Sequence, residues 1–534
     1  MKANFVKAEK VMDYIKDADT ILTVGMTLVG ASESVLKAIE NSFLTTGHPR
    51  NLTLVHSAGQ SDRKNGIQHF AHEGLVTRII GSHWGLQPRW MDMISGNKVE
   101  AYCLPQGQIA HLYRSMACGL PGKMSKVGLG TFVDPRVEGG KMNERTKELE
   151  DLSEVMVYDN EEYLFYKKIP LDVCIIRGTT ADEMGNISME EEAMKLEVLP
   201  AVLATKRFGG RVVVQVKRLA ETGSINPKNV VVPGVFVDAI VVCENPIEDH
   251  RQTSSWYFDP SYSGSLRVPQ TSIKPLDLTI RKFIGRRAMF EINKGDVINL
   301  GTGIPNDVIG NIANEEGVSN DFMITVESGI YGGIQAGGVD FGIGQNIYAM
   351  LSHDEQMDYY NGAGVDVTFM GAGELDGEGN VNATKMGPLC TGAGGFIDIT
   401  QNAKKVVFCA TFSTGGAKVT LENNRVNIHK EGSIKKMVSK VSQISFNGKL
   451  AREKGQDVFF VTERAVFKLV KEGVMLIEIA PGINLQRDVL DMMDFKPIIN
   501  EDLKIMDTAL FLNGASGLKE AIGRKNSRYK MITL

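Results

Sequence analysis

A chain of 534 residues is too long for one hydrophobic core and predicts two to four domains. With 43% hydrophobic residues, 23% charged residues and a net charge of −5, the composition is that of a globular protein with no basic surplus to hold nucleic acid or an anionic membrane. No apolar run approaches the ~18 residues of a spanning helix, and the N-terminus lacks the apolar stretch of a secretory signal, so a cytoplasmic protein is expected.

In chain order, MKANFVKAEKVMDYIKDADT starts like a polar helix. DTILTVGMTLVGASESVLKAIE reads as strand, glycine turn and a helix from about residue 32. ERTKELEDLSEVM reads as helical or helix-ending and VVVQVKRLA as a strand. Residues 249–278, rich in Pro, Ser, Thr and Tyr and without a helical or alternating period, read as a crossing segment. The expected division is therefore 1–250, a linker at 251–280, and 281–534. TIRKFIGRRAMFEINKGD then begins the second half as a helix, and DVINLGTGIPNDVIGNIANEEG repeats the strand, glycine turn and helix scheme. Aligning Asp19 with Asp296 brings Gly25 near Gly301 and Gly30 near Pro305, which predicts two related halves fused in one chain. Further on, DEQMDYYNGAG reads as helical, while VDVTFMGAGELD and KKVVFCATF read as strands. Apolar strands alternating with amphipathic helices predict an α/β fold with largely parallel sheets, whose ligands gather at the carboxyl ends of strands.

Six cysteines (Cys103, Cys118, Cys174, Cys243, Cys390 and Cys409) are scattered without CxxC spacing, several within apolar runs. This predicts reduced, buried thiols and neither a disulfide framework nor a zinc site.

Glu327 ends the strand FMITV and is followed at once by glycines, in VESGIYGGIQAGG. An ordinary glutamate, with a pKa of about 4.3, is ionised at neutral pH and can attack an acyl carbon without help from a base. No histidine lies within about twenty residues of it in the chain. Attack by a carboxylate on a thioester gives a reactive anhydride through an oxyanion, which needs preorganised N–H donors, and glycine lets backbone approach that closely. The run GAGGF, with Gly394 and Gly395, suits the donor role, and the turn GTGIP, with Gly301 and Gly303, offers further amides at the start of a helix. Each motif alone is weak, since a Glu before Gly is most often a turn residue and G-x-G turns are common. Their joint occurrence carries the reading.

With these residues in place the chain resembles a family I coenzyme A-transferase of the fused type, closest to the acetate/propionate group. The resemblance rests on VESGIYGGIQAGGVDFG, GAGGFIDITQN, NLGTGIP, HFAHEGL and KVGLGTFVDPR, and runs from about residue 5 to 525. It implies two related open α/β domains with the active site between them. It implies that Glu327 carries coenzyme A as a glutamyl thioester, that Gly394 and Gly395 serve the oxyanion and the pantetheine, and that Gly301 and Gly303 line the coenzyme A site. Gln106, in CLPQGQ, is implied to hold the substrate carboxylate. The expected reaction is a ping-pong exchange between acyl-CoA and short-chain carboxylates, with coenzyme A thioester as substrate and no metal or other cofactor consumed. A homotetramer is expected by analogy with relatives. Where ketoacid-specific relatives carry an asparagine pair, this chain has His56 and Ser57, which favours small monocarboxylates; His56 itself reads more readily as a packed or surface residue than as a substrate contact. Lys385 and Lys418 read as solvated surface lysines. An acyl-CoA hydrolase on the same scaffold is the alternative. A nicotinamide oxidoreductase is weakened by the lack of a full G-x-G-x-x-G, and a metabolite-sensing protein by the lack of a basic helix.

Overall fold

The computed structural model describes residues 3–269, 274–512 and 514–524. Its frame is two large sheets. All strands of the first lie between Phe5 and Val242, in the order Phe5–Val6, Ala239–Val242, Arg211–Ala220, Val173–Asp182, Thr20–Thr23, Leu52–Val55, Val76–Gly81, Glu100–Cys103, and every neighbour on that path is parallel. The second runs from Val297 to Ile505, with a parallel centre flanked by antiparallel pairs and one edge closed by a parallel pair, Gly473–Ile479 with Ile498–Ile505. The central strands, Val173–Asp182 and Arg211–Ala220, carry early apolar runs, VCII and VVV, whose residues are buried on both faces of the sheet.

The two halves share a plan. In each, the first strand before the glycine turn (Thr20–Thr23; Val297–Leu300) has the next strand in sequence on one side and a later one on the other. Asp19 accepts from Lys16 N at 2.8 Å, and Asp296 accepts from Asn293 N at 2.7 Å. Asp172 accepts from Thr20 N at 2.8 Å, as Asp366 does from Val297 N at 2.9 Å. A D-x-x-G-N turn also recurs, with Asp182 accepting from Met184 N, Asn186 N and Asn186 Nδ2, and Asp376 from Glu378 N, Asn380 N and Asn380 Nδ2. The register extends the match. Leu22 pairs with Val55, and Asn299 pairs with Thr325, so the residues two past each strand, Ser57 and Glu327, occupy corresponding positions.

Two expectations differ. The N-terminus is a short strand, Phe5–Val6, and a 3-10 helix, Ala8–Tyr14, because that strand completes the edge of the first sheet beside Ala239–Val242. In ERTKELEDLSEVM only Glu144–Lys147 is helical. Ser153–Tyr158 instead pairs antiparallel with Glu161–Lys167 across Asp159 and Asn160, both at positive φ (53° and 60°), the geometry of a tight hairpin turn.

Between the sheets, residues 250–269 and 274–279 form no helix or strand; residues 270–273 of the expected linker lie outside the described residues. This segment is tied to both halves, by Gln252 Nε2 donating to Glu191 O at 2.7 Å, Ser255 N to Asp340 at 3.1 Å, and Gln345 Nε2 to Ser261 at 2.8 Å. Five of the six cysteines are buried, and none is bonded to another. Among the described residues no helix is long and apolar enough to cross a membrane, and no cluster of His, Cys, Asp and Glu could hold a metal ion.

Candidate active site

Glu327 follows the strand Met323–Thr325 and sits in a tight turn closed by Val326 N donating to Ile330 O and Gly329 N to Val326 O, both at 3.0 Å. Gly329 has φ +100°, and an added Cβ would strike Leu351 O, so no other residue fits the turn. The carboxylate is 7% exposed. It faces a cavity of about 500 Å3 lined by both halves.

The cavity brings together all six residues expected from the sequence: Gln106 from the first half, and Gly301, Gly303, Glu327, Gly394 and Gly395 from the second. Gln106 opens the helix Gln106–Ala117. The glycine run Gly392–Gly395 is seated on the first half. Trp84 N donates to Thr391 O at 2.6 Å, Gly394 N to Ser82 O at 2.9 Å, and Gln106 N to Gly394 O at 3.0 Å. Asp398, buried in the helix Phe396–Asn402, completes the seam by accepting from Gly107 N at 2.9 Å and Gln108 Nε2 at 2.7 Å.

These bonds sort the glycines. The Gly394 N–H is committed to Ser82, and the Gly301 N–H to Phe369 O at 2.8 Å. The Gly395 N–H has no acceptor among the described residues, and an added Cβ there would lie 2.9 Å from Glu327 Oε2. Gly395 thus stands beside the Glu327 carboxylate with its amide uncommitted among the described residues. Gly303, at φ +87°, starts the helix Ile304–Glu315, whose positive end faces the cavity.

Burial pushes the Glu327 carboxyl up to about 7, and the charge of Asp398 adds to this; His353 and a hydrogen bond from Gln106 oppose it. The side chain thus departs from the fully ionised glutamate expected from sequence, because water is largely excluded from it.

Several site residues carried no sequence signal. His83 lines the cavity, and burial lowers it to about 4, so it is neutral at pH 7. Asn306, 3% exposed, donates through Nδ2 to Ala336 O at 2.7 Å and leaves Oδ1 without a partner at the cavity wall. Arg63 is exposed at the mouth with its guanidinium unpaired among the described residues. His353, at the start of the helix His353–Gly362, lies 2.8 Å from Glu197 Oε2 through Nδ1 and 2.9 Å from Gln106 Nε2 through Nε2, while Ser57 Oγ donates to the other oxygen of Glu197. His56 is packed in the core under Gly81, its Nδ1 bonded to Ala58 O at 2.8 Å, and does not line the cavity. Neither Lys385 nor Lys418 lines it.

Comparison with known proteins gives this geometry its setting. Residues 5–243 match the family described as Coenzyme A transferase. The chain is 44% identical over 528 residues to the caffeate CoA-transferase of Acetobacterium woodii, covering 98% of this chain and 100% of the relative. It is 41% identical over 518 residues to the acetate CoA-transferase YdiF of Escherichia coli K12, covering 96% of each. Among solved structures, the acyl-CoA transferase YdiF of E. coli O157:H7, in a thioester complex with CoA, superposes with a TM-score of 0.90 at 40% identity over 97% of both chains. Full-length similarity and a two-half site of this construction lead to one conclusion: the chain belongs to the coenzyme A-transferase family.

Proposed function

We propose that this enzyme is a short-chain acyl-CoA:carboxylate CoA-transferase working by a ping-pong exchange on Glu327. One observation carries the reading: a single buried carboxylate at the base of an inter-half cavity, with the free Gly395 amide beside it. The ionised Glu327 attacks the thioester carbonyl, the C–S bond breaks, and coenzyme A leaves as thiolate, giving an acyl-glutamyl anhydride. The thiolate attacks the glutamyl carbonyl and expels the first carboxylate, leaving Glu327 as a thioester. An acceptor carboxylate reverses both steps. Each addition places negative charge on an oxygen that the Gly395 amide and the Gln106 carboxamide are positioned to stabilise. The relative solved as a thioester complex with CoA supports such an intermediate. One curated relative is named for acetate, which supports a small monocarboxylate as acceptor; His56 and Ser57, buried away from the cavity, do not touch the acceptor.

Intact-protein mass spectrometry after incubation with acetyl-CoA or propionyl-CoA, with proteolytic mapping, should place coenzyme A on the peptide containing Glu327. Glu327→Ala should bind CoA but form no adduct and transfer none; near wild-type transfer by this variant sinks the assignment. A panel of acceptors including acetate, propionate, butyrate and caffeate then sets substrate class, because a second relative is named for caffeate. Product formation without any acceptor acid would identify a hydrolase instead.

A further inference from the structure

The buried group Ser57–Glu197–His353 does not line the cavity, yet it ends on Gln106, which does. Glu197 is fully buried, and burial of a lone carboxylate costs several kcal/mol unless it is paired. Ser57 Oγ and His353 Nδ1 both meet it, so Nδ1 carries the proton and Nε2 is turned toward Gln106. Gln106 has one donor end and one acceptor end. A bare Nε2 accepts from the Gln106 NH2, and a protonated Nε2 donates to its oxygen. In either state the imidazole dictates which end of the carboxamide remains for the cavity. In this structure the Gln106 NH2 faces His353 and its second N–H is left for Glu327, while Oε1 lies on the Gly394 side, where an added Cβ would come within 3.5 Å of it.

Resting on the ping-pong reading above, we infer that His353, anchored by Glu197, is a positioning residue that fixes the orientation of the Gln106 carboxamide over Glu327. Three separate stretches of chain meet for this: the cap of the helix Val198–Arg207, the start of the helix His353–Gly362, and the start of the helix Gln106–Ala117. The pair would be satisfied as a buried ion pair without Gln106, so a merely structural role predicts no dependence on that residue.

A double-mutant cycle separates the two. His353→Ala and Gln106→Ala should each lower kcat about 10- to 100-fold, with KM for acyl-CoA within about twofold of wild type. The double variant should be no slower than Gln106→Ala alone. His353→Gln, which can still bond both neighbours, should recover part of the loss and provides the same cycle if the alanine variant does not fold. Losses that multiply in the double variant, with either substitution, overturn the inference, as does a change confined to melting temperature. The Glu327 adduct is measured in parallel. If wild-type protein forms the adduct and the losses multiply, this inference alone fails; if wild type never forms it, the ping-pong reading fails as well.

Discussion

At the scale of single residues, Glu327, the proposed nucleophile, is held at a cost. Its carboxyl is pushed up to about 7, and only the ionised form attacks, so kcat/KM for acyl-CoA should climb as pH rises through about 7 and level off above it. The sign for stability is opposite. Between the unfolded value near 4.5 and the folded value near 7 the native state binds more protons than the unfolded one, so stability falls as pH rises through that window. Glu327→Gln should therefore be more stable than wild type at pH 8, by on the order of 2–3 kcal/mol and with a higher melting temperature, and nearly level with it at pH 4.5. Thermal melts at the two pH values check this. Asn306, with its orphaned Oδ1, offers an acceptor for an amide N–H of the pantetheine arm. Asn306→Ala should raise KM for acyl-CoA about 2- to 10-fold with kcat retained, read from steady-state kinetics. That Glu327 and the glycines share one cavity was legible from sequence because the three glycine motifs occur jointly, each being weak alone. His353 was not, because its partners Glu197 and Gln106 lie far off in the chain and only folding joins them.

Among the elements, the glycine run Gly392–Gly395 lies beside Glu327 and docks on the strand end at Ser82–Trp84. Gly392 has φ +79°, and a Cβ there would collide with Ser82 O and His83 Cα, all backbone that cannot yield cheaply. Gly392→Ala should lift the run from its seat, cutting transfer at least tenfold and lowering the melting temperature, whereas Gly455→Ala, open on all sides but also at positive φ, should lower only the latter. Activity and differential scanning fluorimetry on both variants decide. The long apolar strands and the two strand–turn–helix starts were readable because burial on both faces leaves a simple pattern. Ser153–Tyr158 was misread because its charged residues mimic a helix surface, and the pairing that makes it a strand is supplied by its hairpin partner.

Across the whole molecule, the two halves are one working unit. Asp398 in the second half bonds backbone and side chain at the start of the helix Gln106–Ala117 in the first. The buried tryptophans, Trp84 and Trp90, both lie in the first half. Asp398→Ala, though on the other side of the seam, should lower the urea midpoint reported by tryptophan fluorescence, at a cost of roughly 1–3 kcal/mol. An unchanged midpoint would mean that the halves unfold independently. The fused, two-half plan was visible in sequence from the Asp19 and Asp296 match, and the D-x-x-G-N turns at Asp182 and Asp376 are a second, equally visible repeat.

Ser57 and Glu327 hold corresponding places in the two sheets, and each stands against the residue that caps a nearby helix: Glu197 in one case, Gly395 in the other. The acid has thus been set on opposite sides of the same local arrangement. In one copy it is locked away by a hydroxyl and an imidazole; in the other it opens onto the cleft. A duplicated architecture thus turns only one of these two acids to the cleft, and on the proposed exchange titration with a thioester donor should saturate at a single covalently held coenzyme A for each polypeptide.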